Sequence, residues 1–66
     1  MIKNKIKVLR AERNWTQEEL ANELQVSRQE IIAIEGYRYN PSLKIAFKFS
    51  ELFEKPIEEI FTWEKE

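Results

Sequence analysis

The sequence predicts an all-α domain of five short helices, and three observations support that prediction. Good helix formers dominate the chain, and the strong turn signals are concentrated in residues 36–42. Apolar residues recur at the three- and four-residue spacing of amphipathic helices. Hydroxyl residues that can act as N-caps stand directly before three of these stretches, namely Thr16, Ser27 and Ser42.

Length and composition restrict both the architecture and the chemistry. The 66 residues allow one domain, residues 1–66, and a core of this size is marginal without a further stabilising feature. Cys, His and Asp do not occur and Gly occurs once, which removes disulfides, the usual zinc ligands, the common catalytic bases and glycine-rich phosphate loops. We therefore expect a non-enzyme without cofactor, metal or small-molecule ligand, stabilised by dimerisation.

The charges are unevenly distributed along the chain. Residues 1–48 hold nine Lys or Arg and six Glu, whereas residues 49–66 hold two Lys and six Glu. A polyanion would therefore approach the first two thirds of the chain. No apolar run reaches the roughly 18 residues of a membrane span, and the first residues do not resemble a signal peptide, so the expected location is the cytoplasm.

The first helix is predicted over residues 4–13, with Asn14 as its C-terminal stop. This prediction rests on a stripe of residues at helical spacing: Ile2, Ile6, Leu9, Arg10 and Arg13. Val8 lies off this stripe, so we expect its side chain to be exposed or to contact a partner.

Two short helices follow, separated by a three-residue turn, and predict a helix-turn-helix over about residues 17–35. Thr16 and Glu19 have the spacing of a capping box at the start of the second helix, which extends to Leu24. Ser27, with Glu30 three residues later, starts the third helix.

The third helix has two different faces. A rotation of about 100° per residue places Ile31 and Ile34 towards the core. The same rotation places a set of polar and small residues on the opposite face: Arg28, Gln29, Ile32, Ala33 and Gly36.

Ser42 caps a predicted fourth helix whose buried stripe is Leu43, Ala46, Phe49, Leu52 and Phe53. Pro56 suits the first turn of a fifth helix over residues 57–61. Residues 61–63 can form a strand antiparallel to residues 1–5. The aromatic side chains of this half are expected first of all in the core, although five are many for so small a domain: Phe47, Phe49, Phe53, Phe61 and Trp63.

Three runs of residues carry a resemblance to a known family: Thr16-Gln17-Glu18-Glu19-Leu20-Ala21, Val26-Ser27-Arg28-Gln29 and Tyr39-Asn40-Pro41-Ser42-Leu43. They resemble the Cro/CI (Xre) helix-turn-helix family of phage repressors, in particular its stand-alone one-domain members. The resemblance covers nearly the whole chain. It implies a lambda-repressor-like DNA-binding domain that acts as a transcriptional regulator, in the simplest case a repressor. Such a regulator binds a palindromic operator in double-stranded DNA as a homodimer, with the third helix in the major groove.

The resemblance also implies which side chains contact DNA. Base readout is expected from Arg28, Gln29, Ile32 and Ala33, and backbone contacts from Gln17, Ser27, Arg38, Tyr39, Asn40 and Lys44. Arg28 suits guanine and Gln29 suits adenine. Ile32 stands where a small polar residue is more usual, so it either contacts a thymine methyl group or reduces base readout.

Two further features follow from the family. Arg10 and Glu35 match positions that form an ion pair, and a homodimer interface is expected at Asn40, Pro56, Ile57, Ile60 and Phe61. Gln25 occupies a turn position where the family usually has a left-handed glycine. An alternative function is an antitoxin or anti-repressor on the same fold, whose acidic C-terminal third binds a regulatory protein.

Overall fold

The computed structural model describes residues 1–38 and 40–65, and it confirms a mostly helical domain with a small antiparallel sheet. The elements in chain order are β1 (Ile2–Asn4), α1 (Ile6–Glu12), α2 (Gln17–Leu24), α3 (Arg28–Glu35), α4 (Leu43–Phe53), α5 (Ile57–Ile60) and β2 (Phe61–Trp63). The sheet joins the two ends of the chain, with Ile2 opposite Trp63 and Asn4 opposite Phe61. Within the described ranges, no helix has the length and apolar character needed to cross a membrane.

The start of the first helix differs from the prediction. Helix α1 begins at Ile6 rather than at residue 4 because residues 2–4 pair with β2. Ile2 therefore belongs to the sheet and not to the helical stripe, and the Lys5 N–H donates to the Ile60 carbonyl oxygen at 2.9 Å. The side chain of Val8 is exposed, as expected.

Among residues 1–38 and 40–65, four residues other than glycine adopt the left-handed conformation, and each follows the end of a helix. They are Asn14, Gln25, Tyr37 and Glu54, with φ of 58°, 60°, 60° and 55°. The chain reverses there through a bond from the next residue back into the helix, such as Val26 N–H to Ala21 O at 3.0 Å. This pattern satisfies helix carbonyls that would otherwise lack donors. Its cost is roughly 1–2 kcal/mol of steric strain at each residue that carries a Cβ.

The core is a single cluster to which all five helices and β2 contribute. Its buried members are Ile6, Leu9, Leu20, Ala21, Leu24, Ile31, Ile34, Ala46, Phe49, Phe53, Ile60 and Phe61. Phe49 lies among the other aromatic rings, stacked on Phe53 at 6.1 Å and edge-on to Phe61 at 5.6 Å between centroids. The cluster leaves the outward face of α3 without a role in the core.

Several predictions for the last third of the chain are wrong. Leu43, expected in the buried stripe, is 72% exposed, because it is the first residue of α4 and none of the described elements covers it. Phe47 and Trp63, expected in the core, are also exposed. Helix α5 ends at Ile60, because Phe61 already pairs in β2, and Pro56 is its N-cap rather than part of its first turn.

Helix α4 is attached to the preceding helices by two cationic side chains. The Arg13 guanidinium lies 5.2 Å from the ring centroid of Trp15 and 5.1 Å from that of Phe53, and it donates to the Leu52 carbonyl oxygen at 3.1 Å. The Lys48 Nζ donates to the Leu24 carbonyl oxygen at the end of α2, at 3.2 Å. Both contacts use helix carbonyls that have no partner within their own helix.

Candidate nucleic-acid interface

Helix α3 separates a buried face from an exposed one. The side chains of Ile31 and Ile34 lie fully in the core. Arg28 and Gln29 are exposed on the first turn, and the Ser27 hydroxyl caps the helix by accepting the Glu30 N–H at 3.1 Å. On the same outer side, two apolar side chains are half-buried: Ile32 and Ala33. The exposed polar groups therefore stand at the N-terminal end of the helix.

An ion pair holds the other end of α3 to α1. The Arg10 Nε lies 2.9 Å from Glu35 Oε2, and Arg10 Nη2 lies 3.1 Å from Glu35 Oε1. The third donor of the guanidinium, Nη1, donates to the Trp15 carbonyl oxygen at 3.0 Å. The two side chains are only 16% and 9% exposed. Planar two-bond pairing of this kind fixes orientation as well as distance.

Gln17 links this ion pair to the start of α2. Its Nε2 donates to Glu35 Oε1 at 3.3 Å, so the Glu35 carboxylate orients the amide. An open groove lined by Arg10, Thr16, Gln17, Glu18 and Arg28 lies beside it. The groove lies next to the first turns of α2 and α3, whose N–H groups favour an anion such as a phosphate.

The segment after α3 adds exposed polar and cationic side chains. The helix closes with Arg38 N–H donating to Ala33 O at 2.9 Å, which places Arg38 directly after the left-handed Tyr37. Arg38, Asn40 and Lys44 are all exposed. Tyr39, which is also expected to contact the DNA backbone, lies outside the described residues.

One residue near the interface had no predicted role beyond starting the first helix. The Asn4 side chain donates from Nδ2 to the Ile34 carbonyl oxygen at 2.9 Å, and its Oδ1 accepts the Ile6 N–H at 3.2 Å. It therefore joins β1, the start of α1 and the last turn of α3. An Asn just before a helix is a recognisable cap signal, but its bond to a residue 30 positions away is not a local feature.

The predicted homodimer residues divide into two groups. Asn40 and Pro56 are exposed and Ile57 is half-buried, whereas Ile60 is fully buried and Phe61 is 8% exposed. Ile60 therefore packs in the core of its own chain, and its place at or near an interface stays a prediction.

A shallow apolar groove runs beside these residues. We use "apolar groove" for the surface formed by Ile2, Leu43, Ile57, Phe61 and Trp63. Leu43 and Trp63 were predicted to be buried, and they are the most exposed members. The groove lies beside the terminal sheet, since Ile2 and Trp63 pair across β1 and β2.

Comparison with known proteins identifies the family. A helix-turn-helix family model matches residues 6–60, which include all five helices. The chain belongs to the Cro/CI-type helix-turn-helix family. This membership confirms the resemblance carried by the three sequence runs, and it indicates a DNA-binding domain of a transcriptional regulator rather than an enzyme.

Relatives in this family span almost the same length as the chain. An uncharacterised helix-turn-helix-type transcriptional regulator of Methanocaldococcus jannaschii is 57% identical over 63 residues, which cover 96% of each chain. A similarly described regulator of Bacillus subtilis is 42% identical over 65 residues, covering 98% of each. The fold also matches the crystal structure of a Bacteroides fragilis protein, which is described as an inferred DNA-binding protein, with a TM-score of 0.78. That match has 29% identity and covers 94% of this chain and all of the other.

Proposed function

We propose that this protein is a sequence-specific, DNA-binding regulator of transcription that inserts α3 into the major groove. The observation that carries the proposal is the division of α3, with Ile31 and Ile34 buried while Arg28 and Gln29 are exposed on its first turn. A major groove about 12 Å wide accepts a helix whose outward side chains have no role in the core. The description of the relatives as transcriptional regulators supports the same function.

In this proposal the exposed end of α3 reads bases. Arg28 donates two bonds to guanine O6 and N7, and Gln29 pairs with adenine N6 and N7, each contact contributing about 1–3 kcal/mol of discrimination. Ile32 and Ala33 lie further along the same side and are half-buried. They present only methyl and methylene groups, which suit the methyl group of thymine.

A second set of residues binds the sugar-phosphate backbone. Those proposed are Gln17, Ser27, Arg38, Tyr39, Asn40 and Lys44. Their contacts fix the register of α3 without reading sequence. If about six phosphates are contacted, the logarithm of the association constant falls with the logarithm of salt concentration at a slope near −5. Fluorescence anisotropy over a salt series measures this slope, and a flat response contradicts backbone binding.

The regulator is proposed to act as a homodimer in the cytoplasm, joined through the apolar groove. A two-fold axis there presents two α3 helices to successive major grooves about 34 Å apart, and so to a palindrome with half-sites one turn apart. Occupation of such an operator would block transcription, which makes repression the simplest regulatory outcome.

Selection of random duplex DNA on the purified protein at about 0.15 M salt, the physiological ionic strength, tests this function. An enriched inverted repeat is expected from the wild-type chain. The double variant Arg28→Ala with Gln29→Ala should lose enrichment while remaining folded. Its matched control is Lys7→Ala with Asn22→Ala, which removes an exposed cation and an exposed amide from α1 and α2 and should leave enrichment unchanged.

The second candidate function is an antitoxin or anti-repressor that binds a regulatory protein. The observation in its favour is the apolar groove, whose exposed Leu43 and Trp63 lie in the same surface as the acidic Glu58. Under this function, the Arg28 and Gln29 double variant retains partner binding. A folded wild-type sample that enriches no DNA sequence would favour it.

A further inference from the structure

Besides Gln17 on α2, two side chains from the first ten residues of the chain bond to the last turn of α3. Arg10 pairs with the Glu35 side chain, and Asn4 donates to the Ile34 backbone carbonyl oxygen at 2.9 Å. The Ile34 carbonyl also accepts the Tyr37 N–H at 3.1 Å, within the turn that ends the helix. The opposite end of α3, with Arg28 and Gln29, is exposed. The direction in which these two side chains point therefore depends on how the last turn is fixed.

Asn4 and Arg10 connect α3 to different elements: Arg10 lies on α1, whereas Asn4 lies on β1. Asn4 is the last residue of β1 and lies opposite Phe61, while Ile2, two residues earlier on the strand, lies opposite Trp63. Ile2, Phe61 and Trp63 all line the apolar groove. A single side-chain amide thus connects the backbone of α3 to the strand that carries the groove. The strand has only three residues, so little flexible backbone separates the two.

We propose that Asn4 is a positioning residue for DNA recognition, which fixes the angle of α3 relative to the apolar groove. This inference rests on the proposed function, in which two chains pair through the groove and read two half-sites. In such a dimer the angle of each α3 sets the separation and rotation of the two reading ends. Asn4 then determines which half-site spacing the protein accepts, although it does not touch DNA.

Two substitutions separate this role from the local bond between the Asn4 side chain and the Ile6 N–H. Asn4→Asp and Asn4→Ser both keep a short side-chain oxygen that can accept from a backbone N–H two residues later. Neither can donate to the Ile34 carbonyl as the amide does, because the aspartate has no donor and the serine hydroxyl is shorter. The serine variant also avoids the added negative charge, which by itself would weaken DNA binding at every spacing.

The matched control is Lys3→Gln on the same strand. Lys3 lies opposite Thr62, and its ion pair with Glu64 joins side chains that are 43% and 49% exposed. Exposed pairs of this kind contribute little to stability. The control therefore changes β1 without removing a bond to α3.

The experiment measures binding to the operator that the wild-type protein selects, and to versions with the half-sites one base pair closer or further apart. One base pair rotates a half-site by a tenth of a turn, so wild-type protein and Lys3→Gln should bind the altered operators at least about tenfold more weakly. Both Asn4 variants should lose about three- to tenfold on the original operator, the scale of one hydrogen bond. Their preference for the original spacing should fall to roughly a third of the wild-type ratio or less.

An unchanged spacing preference in both Asn4 variants overturns the inference, whether their affinity is unchanged or falls equally on all spacings. An equal loss that matches the unfolded fraction measured by circular dichroism would assign Asn4 to stability alone. A wild-type chain that selects no operator defeats the proposed function instead. The orientation of α3 relative to the sheet is then measured by residual dipolar couplings of the free proteins. A reorientation in Asn4→Ser supports the positioning role, and an unchanged orientation overturns it.

Discussion

At the scale of single residues, Arg10 and Glu35 form an ion pair that holds α3 to α1. Their side chains are mostly buried and joined by two bonds. Removing one partner leaves the other charge without compensation, which typically costs about 3–5 kcal/mol. We predict that Arg10→Ala lowers the free energy of unfolding by this amount. Because small domains have only about 5–15 kcal/mol in total, urea denaturation should show a marginally stable protein.

The control for this prediction removes both charges together. Arg10→Met combined with Glu35→Leu leaves no unpaired charge, so it should recover most of the lost stability, as replacements of buried ion pairs by apolar residues often do. If Arg10→Ala alone unfolds at nearly the wild-type urea concentration, the pair does not stabilise the frame in this way.

Sequence reasoning identified residues whose roles follow from local periodicity. The outward positions of Arg28 and Gln29 follow from the helical repeat, and the structure exposes both. Asn4 could not be assigned in the same way, because its partner Ile34 is 30 residues away and the bond uses a backbone carbonyl. Nothing in the identity of Ile34 marks that carbonyl as an acceptor.

At the scale of secondary-structure elements, the strained helix ends give a second prediction. Gln25 has φ of 60° and ends α2 within the helix-turn-helix. Glycine adopts this conformation without the Cβ strain of roughly 1–2 kcal/mol, although part of the gain is lost to the greater freedom of the unfolded chain. Gln25→Gly should therefore raise the free energy of unfolding by about 0.5–1 kcal/mol, measured by thermal or urea denaturation.

Asn22→Gly is the matched control because Asn22 is exposed in the interior of the same helix. Glycine at an ordinary helical position lowers stability, by up to about 1 kcal/mol. The two substitutions should thus act in opposite directions. A loss of stability with Gln25→Gly would show that strain at this turn is negligible.

The predicted start of a helix was accurate where a capping residue next to it marks that start. The capping box at Thr16 and the cap at Ser27 fixed the start of α2 and α3, and both bonds are present in the structure. The first and fifth helices were each predicted too long. Their ends are set by the pairing of β1 with β2, which joins opposite ends of the chain. The strand over residues 61–63 was itself predicted, but strands of three residues give too few alternating positions to show where the adjoining helix ends.

At the scale of the whole molecule, the sequence could not show which apolar side chains the core leaves uncovered. Leu43 lies at helical spacing from Ala46 and Phe49, yet it is 72% exposed while both of these are buried. Periodicity assigns a residue to a face but not to a depth, and the first turn of such a face can extend past the packed layer, as it does in α4. The exposed residues Leu43 and Trp63 are therefore the informative ones, because contiguous exposed apolar surface often marks an interaction site.

The proposed homodimer can be tested at Leu43 without disturbing the core. Leu43→Glu puts a charge into the apolar groove, and since the side chain is already exposed, the stability of the single chain should change by no more than about 0.5 kcal/mol. Burying that charge between two chains is costly, so we predict at least a roughly tenfold weaker dimer, the scale of about 1.4 kcal/mol. Sedimentation equilibrium at micromolar concentrations measures the change.

Val8→Glu provides the control, because Val8 is also an exposed aliphatic residue but lies on α1 outside the groove. It should leave self-association unchanged. If Val8→Glu dissociates the protein and Leu43→Glu does not, the two chains pair through α1 instead of the groove. DNA gives an independent measurement, since Leu43→Glu should weaken binding to the complete palindrome and retain the intrinsic affinity for a single half-site. An equal loss on both would mean that Leu43 contacts DNA, because a residue that acts only through pairing cannot change the affinity of one α3 for one half-site.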